Sequence, residues 1–327
     1  MGNRKTALVT GVGGQDGSFL AQQLLEKDYS VIGLVRRSST PNTTNINSLL
    51  NDKRLLLVEG DLTDYISLNK IFRHNSIDEC YNMAAQSHVF TSFEEPLYTT
   101  QTNYLGVMNI LDNIQRFSPW TKLYQASSSE MFSNNINKDG RQNEDTPFAP
   151  QSPYGVSKVA AHYLCQLYRR NYGLFICCGV LFNHTGLHRG ENFVTRKITK
   201  YVARLATEKV AEKLHLGNME ASRDFGDAEE YCKVIQLMMS QPQADDYVIG
   251  TGETHTVKEF CDRAFKYIGK DYRDYVVVDQ LLFRPAEVNY LCADTTKAQN
   301  KLKWKYPLKL DDLISKMIDY DINLLKK

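Results

Sequence analysis

Two side chains in the segment SPYGVSK, residues 152–158, have the types and spacing of an acid–base pair. Tyr154 and Lys158 stand four residues apart, so on a helix they share one face with their Cβ atoms about 6 Å apart. A free tyrosine hydroxyl titrates near pH ~10, too high for a base in a neutral cell. A neighbouring ammonium group would favour the phenolate and lower that pKa. Alternatively, the two residues share a solvated helix face by chance.

A glycine-rich turn near the N-terminus could hold a phosphate. In TALVTGVGGQDGSFLAQQLL, Gly11, Gly14 and Gly17 form the pattern G-x-x-G-x-x-G between a predicted strand and a predicted helix. Glycine lets the backbone approach a pyrophosphate closely, and a helix beginning near Ser18 directs its positive end at that charge. In this context the pattern predicts a dinucleotide site, with a plain turn as the alternative.

The end of the second predicted strand indicates which dinucleotide is bound. An NAD site would place an acidic residue there to bond the ribose hydroxyls. This chain has Arg36 and Arg37, followed by Ser38 and Ser39. A guanidinium fork matches a phosphate group, so the segment predicts NADP. The alternative is a solvated basic turn.

The elements that would position these residues alternate along the first half of the chain. Apolar runs predict strands at residues 6–10, 30–35, 55–60, 79–84, 122–127 and 174–180, with helical patterns between them. Nearly continuous apolar runs are typical of parallel strands covered on both faces. The predicted fold class is therefore α/β, with a Rossmann-like doubly wound parallel sheet.

The pattern changes after about residue 183. Helices are predicted around 192–207, 228–239, 257–268 and 309–325, with short stretches such as KLHLGN, DYVIG and DYVVVD between them. We therefore predict two parts: an NADP-binding domain over residues 1–182, which includes the Tyr154 helix, and a smaller C-terminal lobe over residues 183–327, which mainly binds the substrate.

Composition excludes several classes of function. Of the 327 residues, 39 are lysine or arginine and 38 are aspartate or glutamate, so neither nucleic acid nor an anionic membrane is an expected partner. No apolar run approaches the roughly 20 residues of a membrane span. The seven cysteines have no metal-ligand spacing, so we expect no metal site. The N-terminus runs directly into a predicted strand without a signal peptide, and we expect a cytoplasmic protein.

Motifs in a fixed order over nearly the whole chain resemble the GDP-mannose 4,6-dehydratase family, within the extended short-chain dehydrogenases. The motifs are TGVGGQDGSFLAQQLLEK, VRRSS, GDLTD, AAQSHV, QASSSE, SPYGVSK, LFNH, RGENFVTRKI, LGN, RDFG and FRPAEV. The resemblance implies that the enzyme converts GDP-D-mannose to GDP-4-keto-6-deoxy-D-mannose, with an internal hydride transfer through NADP.

The same resemblance implies roles for individual residues. The catalytic group would be Ser128, in the place of the family's threonine, with Glu130, Tyr154 and Lys158. NADP would be bound by Gly11, Gly14, Gln15, Asp16, Gly17, Arg36, Arg37, Ser38, Ser39, Asp61, Leu62, Ala84, Ala85, Gln86, Ser87, Tyr98, Tyr154, Lys158, His184 and Arg189. The GDP-sugar would be bound by Ser87, Glu130, Asn183, Thr195, Lys197, Arg223, Arg284 and Glu287.

The implied chemistry gives each catalytic group a task. Tyr154 takes the proton of the C4 hydroxyl while the hydride leaves for NADP, and Lys158 lowers the pKa of that tyrosine. The resulting ketone acidifies the C5 hydrogen, so Glu130 can remove it and help to expel the C6 hydroxyl as water. The hydride then returns to C6.

Some alternatives remain open at this point. Glu130 can be read as a surface carboxylate, His184 as a structural histidine, and Arg223 and Arg284 as members of ion pairs. A dehydratase of another GDP-sugar (GDP-manno-heptose, for instance), a nucleotide-sugar epimerase or reductase, and a cofactor-binding protein without activity share parts of the pattern.

Two segments bear on specificity and assembly. The family's NHESPRRGE reads NHTGLHRGE here, and the segment before Phe283 is shorter, so the hexose is left open. We expect residues 185–188 to lie beside the sugar and the cofactor. The loop RRSSTPNTTNIN reaches a neighbouring subunit in the family's tetramers, which implies a homotetramer or a dimer.

Overall fold

A seven-stranded parallel sheet forms the centre of the protein. The computed structural model describes residues 4–40, 42–208 and 210–326. The strands follow the order β3-β2-β1-β4-β5-β6-β11, and every neighbouring pair is parallel. In chain order the strands are β1 Thr6–Thr10, β2 Ser30–Val35, β3 Leu55–Glu59, β4 Glu79–Asn82, β5 Lys122–Ser128, β6 Ile176–Leu181, β7 His184–Thr185, β8 Leu214–Leu216, β9 Ser222–Arg223, β10 Gly226–Asp227, β11 Asp246–Ile249, β12 His255–Thr256 and β13 Val276–Val278.

Helices cover both faces of the sheet and build the second lobe. They are α1 Gln15–Glu26, α2 Tyr65–His74, α3 Val89–Glu94, α4 Pro96–Thr100, α5 Gly106–Phe117, α6 Pro153–Tyr172, α7 Val194–Thr207, α8 Ala228–Met239, α9 Val257–Tyr267, α10 Thr296–Leu302 and α11 Leu310–Leu325. A π-helical turn, Gln101–Leu105, joins α4 to α5, and short 3₁₀ turns span Thr44–Leu49, Ser129–Met131, Tyr272–Asp274 and Gln280–Leu282. Within the described ranges, no helix is long and apolar enough to cross a membrane.

Alternating side chains of each central strand pack into two separate cores. Ala7 and Val9 of β1 belong to the core beneath α1 and α8, whereas Leu8, between them, belongs to the core beneath α2, α5 and α6. Because both faces are buried, the strand needs apolar residues at every position. This explains the continuous apolar runs in the sequence and confirms the predicted doubly wound sheet.

The C-terminal half contributes to both parts of the molecule. Helices α7, α9 and α11 form a third core around Ile198, Phe260 and Ile314, which is the predicted smaller lobe. Strand β11, however, pairs with β6, so assigning DYVIG to the lobe was wrong. Helix α8 also packs against α1. A strand of four residues carries too short a pattern to reveal its partner. The division at residues 182 and 183 stays a prediction.

Candidate active site

The carboxyl ends of the parallel strands open into a cleft of about 950 Å³ between the sheet and the smaller lobe. Ligands bind at this edge in open α/β sheets. The following predicted site residues line the cleft: Gly11, Gly14, Gln15, Asp16, Gly17, Arg36, Ser38, Asp61, Leu62, Ala84, Ala85, Gln86, Ser87, Tyr98, Ser128, Glu130, Tyr154, Lys158, Asn183, His184, Arg189, Thr195, Lys197, Arg223, Arg284 and Glu287.

Arg37 and Ser39 are absent from this lining. Arg36 and Ser38 line the cleft, whereas the residue after each of them does not. Successive side chains of an extended segment point to opposite sides. The prediction that both arginines and both serines face the cofactor is therefore corrected to one of each.

The turn after β1 brings backbone groups close together. Gly11 has φ +64°, and a Cβ added to it would lie 2.9 Å from the Cα of Ala84. A Cβ on Gly17 would overlap the carbonyl oxygen of Gly11. Only glycine fits at these two positions, and helix α1 begins directly behind them at Gln15. The turn thus forms a cradle of backbone at a helix N-terminus, which suits a pyrophosphate.

Helix α6 begins where its sequence predicts. The Ser152 side chain accepts a hydrogen bond from the Gly155 N–H at 3.0 Å, and Pro153 occupies the first helical position. Serine and proline are favoured at these two places. A Cβ on Gly155 would come within 3.0 Å of the Glu130 carbonyl oxygen. The glycine therefore lets the first turn of α6 pack against the end of β5.

Tyr154 and Lys158 lie on one buried face of α6, as predicted. The Lys158 Nζ lies 5.8 Å from the Tyr154 ring centroid and donates a hydrogen bond to the Ala126 carbonyl at 2.8 Å. Burial raises the pKa of Tyr154 to about 12, although Ser128 acts in the opposite direction. Burial also lowers the pKa of Lys158 to about 8. The expected depression of the tyrosine pKa by Lys158 is therefore not found, because burial dominates at both groups.

Glu130 lies on the 3₁₀ turn that follows β5. The Ser128 side chain caps this turn and accepts a hydrogen bond from the Glu130 N–H at 3.2 Å. The Glu130 carboxylate is buried and accepts a hydrogen bond from Arg284 Nη1 at 3.2 Å. The open alternative of a surface carboxylate is therefore wrong. Glu130 and Tyr154 reach one cleft from two separate elements.

Arg223 and Arg284 both form ion pairs inside the cleft. Arg223 Nη2 contacts Glu287 Oε1 at 3.0 Å, and Arg284 Nη1 lies 3.9 Å from the same oxygen. Lys197 and Arg189 line the same cleft, and within the described chain neither has a carboxylate within 4 Å. The Arg189 guanidinium instead stacks 3.6 Å from the Phe193 ring centroid. This end of the cleft therefore carries an excess of positive charge.

At the opposite end, Arg36 is held in place by a tyrosine. Arg36 Nη1 donates a hydrogen bond to the Tyr98 hydroxyl oxygen at 2.6 Å, and both side chains are exposed. Asp61 is occupied with its own turn, since its carboxylate accepts hydrogen bonds from the N–H and hydroxyl of Thr63, each at 2.8 Å. The arginine and the tyrosine remain accessible to a charged group in the cleft.

His184 pairs with an acidic residue of the glycine-rich turn. Its Nε2 lies 2.8 Å from Asp16 Oδ2, and its Nδ1 lies 2.8 Å from the Phe182 carbonyl oxygen. Burial favours the neutral carboxyl group, but contact with His184 outweighs this and lowers the pKa of Asp16. The pair ties the segment after β6 to the start of α1, so His184 has the structural role left open above as well as a place in the cleft.

The loop after β4 is held by residues that sequence reasoning missed. Asn103, on the π-helical turn, accepts a hydrogen bond from the Gln86 N–H at 2.9 Å and donates to the Gln86 carbonyl at 3.0 Å. The Gln86 side chain donates to Thr99 Oγ1 at 2.9 Å. The two partners follow Gln86 by 17 and 13 residues, and no local pattern marks them. Gln86 therefore shapes the loop that lines the cleft.

Three buried polar atoms that line the cleft have no hydrogen-bond partner among the described residues. They belong to Gln15 Oε1, Thr102 Oγ1 and Asn183 Oδ1. Buried polar groups are normally hydrogen-bonded, so such atoms indicate a polar ligand. Together with the glycine cradle, they fit a dinucleotide and a second polar ligand. Thr102 was not predicted, and neither was His88, which packs edge-on against Phe193 in the lining.

The altered segment 185–188 lies differently from our expectation. Thr185 lines the cleft, but Gly186, Leu187 and His188 do not. The His188 ring stacks on Phe19 at 4.3 Å between centroids, and its Nδ1 lies 2.8 Å from Ser18 Oγ. The expectation that this whole segment lies beside the sugar and cofactor was wrong. Its departure from the family pattern mainly changes packing behind the glycine-rich turn.

Comparison with known proteins agrees with this geometry. The sequence model of the family described as GDP-mannose 4,6 dehydratase matches residues 8–317. GDP-mannose 4,6 dehydratase 2 of Arabidopsis thaliana is 46% identical over 334 residues, with 99% of this chain and 88% of the relative covered. The human GDP-mannose 4,6 dehydratase is 40% identical over 348 residues, covering 99% and 93% of the two chains. The Vibrio cholerae enzyme is 37% identical over 358 residues, covering 99% and 95%.

Solved structures share the fold at lower identity. The dTDP-glucose 4,6-dehydratase of Bacillus anthracis, in complex with NAD, has a TM-score of 0.83 at 22% identity and covers 97% of this chain and 96% of its own. The UDP-glucose 4-epimerase of Thermus thermophilus, in complex with NAD, has a TM-score of 0.85 at 23% identity, covering 97% and 98%. The family match and the full-length relatives confirm the resemblance seen in the sequence motifs. The chain belongs to the GDP-mannose 4,6-dehydratase family.

Proposed function

We propose that the protein converts GDP-mannose to GDP-4-keto-6-deoxymannose. The observation that carries this proposal is the presence of two independent acid–base groups in one cleft: Tyr154 on α6 and Glu130 after β5. Oxidation at C4 of the hexose requires a base for one hydroxyl only. Loss of the C6 hydroxyl also requires removal of the C5 proton, and Glu130 supplies a carboxylate for that step.

The side chains divide the chemistry between them. Tyr154 removes the proton of the C4 hydroxyl, and Ser128 lies beside it to hydrogen-bond the same oxygen. The new ketone acidifies C5–H, Glu130 takes that proton, and the C6 hydroxyl leaves as water. When bound, NADP supplies the acceptor for the C4 hydride and its donor to C6. General acid–base steps of this kind are worth roughly 10²–10⁴-fold each.

Glu130 separates this function from its relatives on the same fold. An epimerase or reductase acting at C4 needs no base for C5, so a buried carboxylate beside Tyr154 favours the dehydratase. A 4,6-dehydratase of another GDP-sugar, such as GDP-manno-heptose, would use the same groups. The intact set Ser128, Glu130, Tyr154 and Lys158 disfavours a binding protein without activity.

A product assay tests the proposal. Purified protein with GDP-mannose and catalytic NADP should yield a GDP-sugar lighter by one water, identified by mass spectrometry. Because the hydride returns to the same sugar, NADPH should not accumulate. Stoichiometric consumption of NADPH would instead identify a reductase. Turnover of a different GDP-sugar, with GDP-mannose unchanged, would identify the alternative dehydratase.

The cofactor proposed is NADP rather than NAD. Neighbours of the same fold were solved with NAD or, in RMD of Pseudomonas aeruginosa, with NADPH. Arg36 supports NADP because it lines the cleft and Tyr98 holds its guanidinium at a place where an NAD site would carry an acidic residue.

Paired variants of the two arginines test this cofactor choice. Arg36→Ala should weaken NADP binding at least tenfold and NAD binding less than twofold, because only NADP carries the 2′-phosphate. Arg37→Ala removes the same charge from a side chain that does not line the cleft, and it should leave the NADP/NAD ratio nearly unchanged. Calorimetric titration of each variant with both cofactors measures the ratio. Equal losses of NADP and NAD in Arg36→Ala would contradict the assignment.

For the substrate we propose a GDP-sugar with its diphosphate at the basic end of the cleft. Lys197, Arg189, Arg223 and Arg284 supply the positive charge there. Asn183 and Thr195 line the wall beside them, and Asn183 Oδ1 needs a donor. The roles proposed from the sequence for Ser87 and Glu287 rest on the same placement. No residue of this group belongs to the glycine-rich end that would hold the cofactor.

We further propose that the enzyme is a homo-oligomer, either a tetramer or a dimer. Val156, Tyr163 and Leu167 form an exposed apolar stripe along the outer face of α6, which is typical of a surface covered by a partner. The loop over residues 36–47 contacts its own chain, since Asn45 donates to the Gly13 carbonyl at 3.0 Å. Pro41 of this loop lies outside the described residues. The expected cytoplasmic location stays a prediction.

Light scattering tests the assembly. The protein at micromolar concentration should have at least twice the mass of one chain. Leu167→Lys would place a charge on the stripe and should shift the population toward monomer, whereas Lys138→Glu, in an exposed loop elsewhere, should not. An active monomer at micromolar concentration would contradict the proposal.

A further inference from the structure

Four charged side chains form a continuous chain across the basic end of the cleft. Their order is Glu130, Arg284, Glu287 and Arg223, so negative and positive charges alternate. The separations are 3.2 Å from Glu130 to Arg284, 3.9 Å from Arg284 to Glu287 and 3.0 Å from Glu287 to Arg223. One member of this chain is the catalytic carboxylate itself.

The contact between Arg284 and Glu130 affects both partners. Arg284 Nη1 donates to Glu130 Oε1, so a lone pair of the catalytic carboxylate is occupied. A carboxylate must direct a free lone pair at a C–H bond to remove its proton. The Glu130 side chain is only 8% exposed, so water offers little competition for that oxygen. Arg284 is in turn less available to a phosphate while it holds Glu130.

The two partners differ in their freedom to move. Glu130 is buried on the turn capped by Ser128, whereas the Arg284 side chain is 29% exposed in a segment between the 3₁₀ turn Gln280–Leu282 and the isolated bridge at Tyr290. Arginine also matches the geometry of phosphate oxygens at least as well as that of a carboxylate. Arg284 is therefore the partner that can exchange.

We propose that the diphosphate of the incoming GDP-sugar takes Arg284 from Glu130, so that substrate binding itself frees the catalytic base. This inference rests on the proposed function, because it requires a nucleoside diphosphate at the basic end of the cleft. It makes Arg284 a residue that couples binding to the second chemical step. Before substrate arrives, the same contact keeps the Glu130 carboxylate neutralised inside a buried site.

Two other arrangements would leave the structure unchanged but behave differently. Glu130 would repel a diphosphate simply by its charge, whatever Arg284 does. Alternatively, Arg284 stays on Glu130 throughout the reaction and only orients it. A double-mutant cycle on GDP affinity separates these cases, because it measures whether the effect of Glu130 depends on Arg284.

The cycle uses calorimetric titration of the NADP-saturated enzyme with GDP at fixed salt. Glu130→Gln should bind GDP about five- to tenfold more tightly than wild type, since the arginine no longer has a charged competitor. In the Arg284→Gln background, the same Glu130→Gln change should alter GDP affinity less than twofold. Thermal unfolding of each variant verifies that it is folded.

A charge-conserving variant provides the second measurement. Glu130→Asp keeps the negative charge but shortens the side chain by one carbon, which moves the carboxylate away from Arg284. Exchange predicts tighter GDP binding in Glu130→Asp, whereas simple repulsion predicts no gain. Equal tightening by Glu130→Gln with and without Arg284, or no tightening in either variant, would overturn the proposal. Undetectable binding of GDP to wild type would overturn it too, whereas failure of the proposed function alone would appear as GDP binding without conversion of GDP-mannose.

Discussion

A Glu130→Gln enzyme should oxidise GDP-mannose at C4 and then stop. Tyr154 and Lys158 are intact in this variant, so absorbance of the reduced nicotinamide should appear when the sugar is added. Release of the 4-keto-6-deoxy product should fall by about 10²–10⁴-fold, because the amide cannot remove the C5 proton. The glutamine has nearly the same volume and can still accept a hydrogen bond from Arg284, so the cleft should keep its shape.

Exchange of the C5 hydrogen with deuterated solvent measures the missing step directly. Wild type should incorporate deuterium at C5, and Glu130→Gln should not. Glu253→Gln is a matched control, since the side chain of Glu253 is 78% exposed and lies outside the cleft lining. It should retain wild-type exchange and turnover. Product formation by Glu130→Gln at near wild-type rate would move the C5 base to another residue and remove the main support for a dehydratase.

Tyr154→Phe should abolish the earlier step as well. The variant loses only the hydroxyl, so the buried ring continues to pack and GDP should bind within about threefold of wild type. Without a base for the C4 hydroxyl, nicotinamide reduction on addition of GDP-mannose should slow by about 10²–10⁴-fold. Stopped-flow absorbance measures that rate.

The same helix offers a control for this change. Tyr163 is 53% exposed on the opposite face of α6, and Tyr163→Phe should reduce the nicotinamide at the wild-type rate. If Tyr154→Phe also did so, the proton of the C4 hydroxyl would have another acceptor. The two catalytic variants thus stop the reaction at different points: Tyr154→Phe before nicotinamide reduction, and Glu130→Gln after it.

Much of this site could be predicted because its determinants are local. The glycine pattern, the four-residue spacing of Tyr154 and Lys158 and the Ser152-Pro153 helix start each depend on neighbours within a few positions. Parallel strands then bring their carboxyl ends to one edge, so placing residues after successive strands was enough to gather them in one cleft.

What sequence reasoning missed depends on contacts between distant residues or on side-chain direction. Glu130 and Arg284 are separated by 154 positions, and no pattern in either segment indicates that they touch. Arg37 follows Arg36 directly, yet only Arg36 lines the cleft, because alternation in an extended segment is invisible without its starting phase. Burial likewise sets the pKa of Tyr154, and burial belongs to the folded chain.

The return of the chain to the sheet has a consequence for the order in which the protein can fold. A ribosome releases the N-terminal residues first, and domains generally fold as they emerge. Here β6 lacks its outer neighbour until β11 has been made, and α1 lacks the cover of α8. A nascent chain ending near residue 182 would present an unpaired strand edge and an uncovered apolar helix face, both of which favour aggregation. The nucleotide-binding half is therefore contiguous at its start but becomes self-sufficient only after about three quarters of the chain has been synthesised.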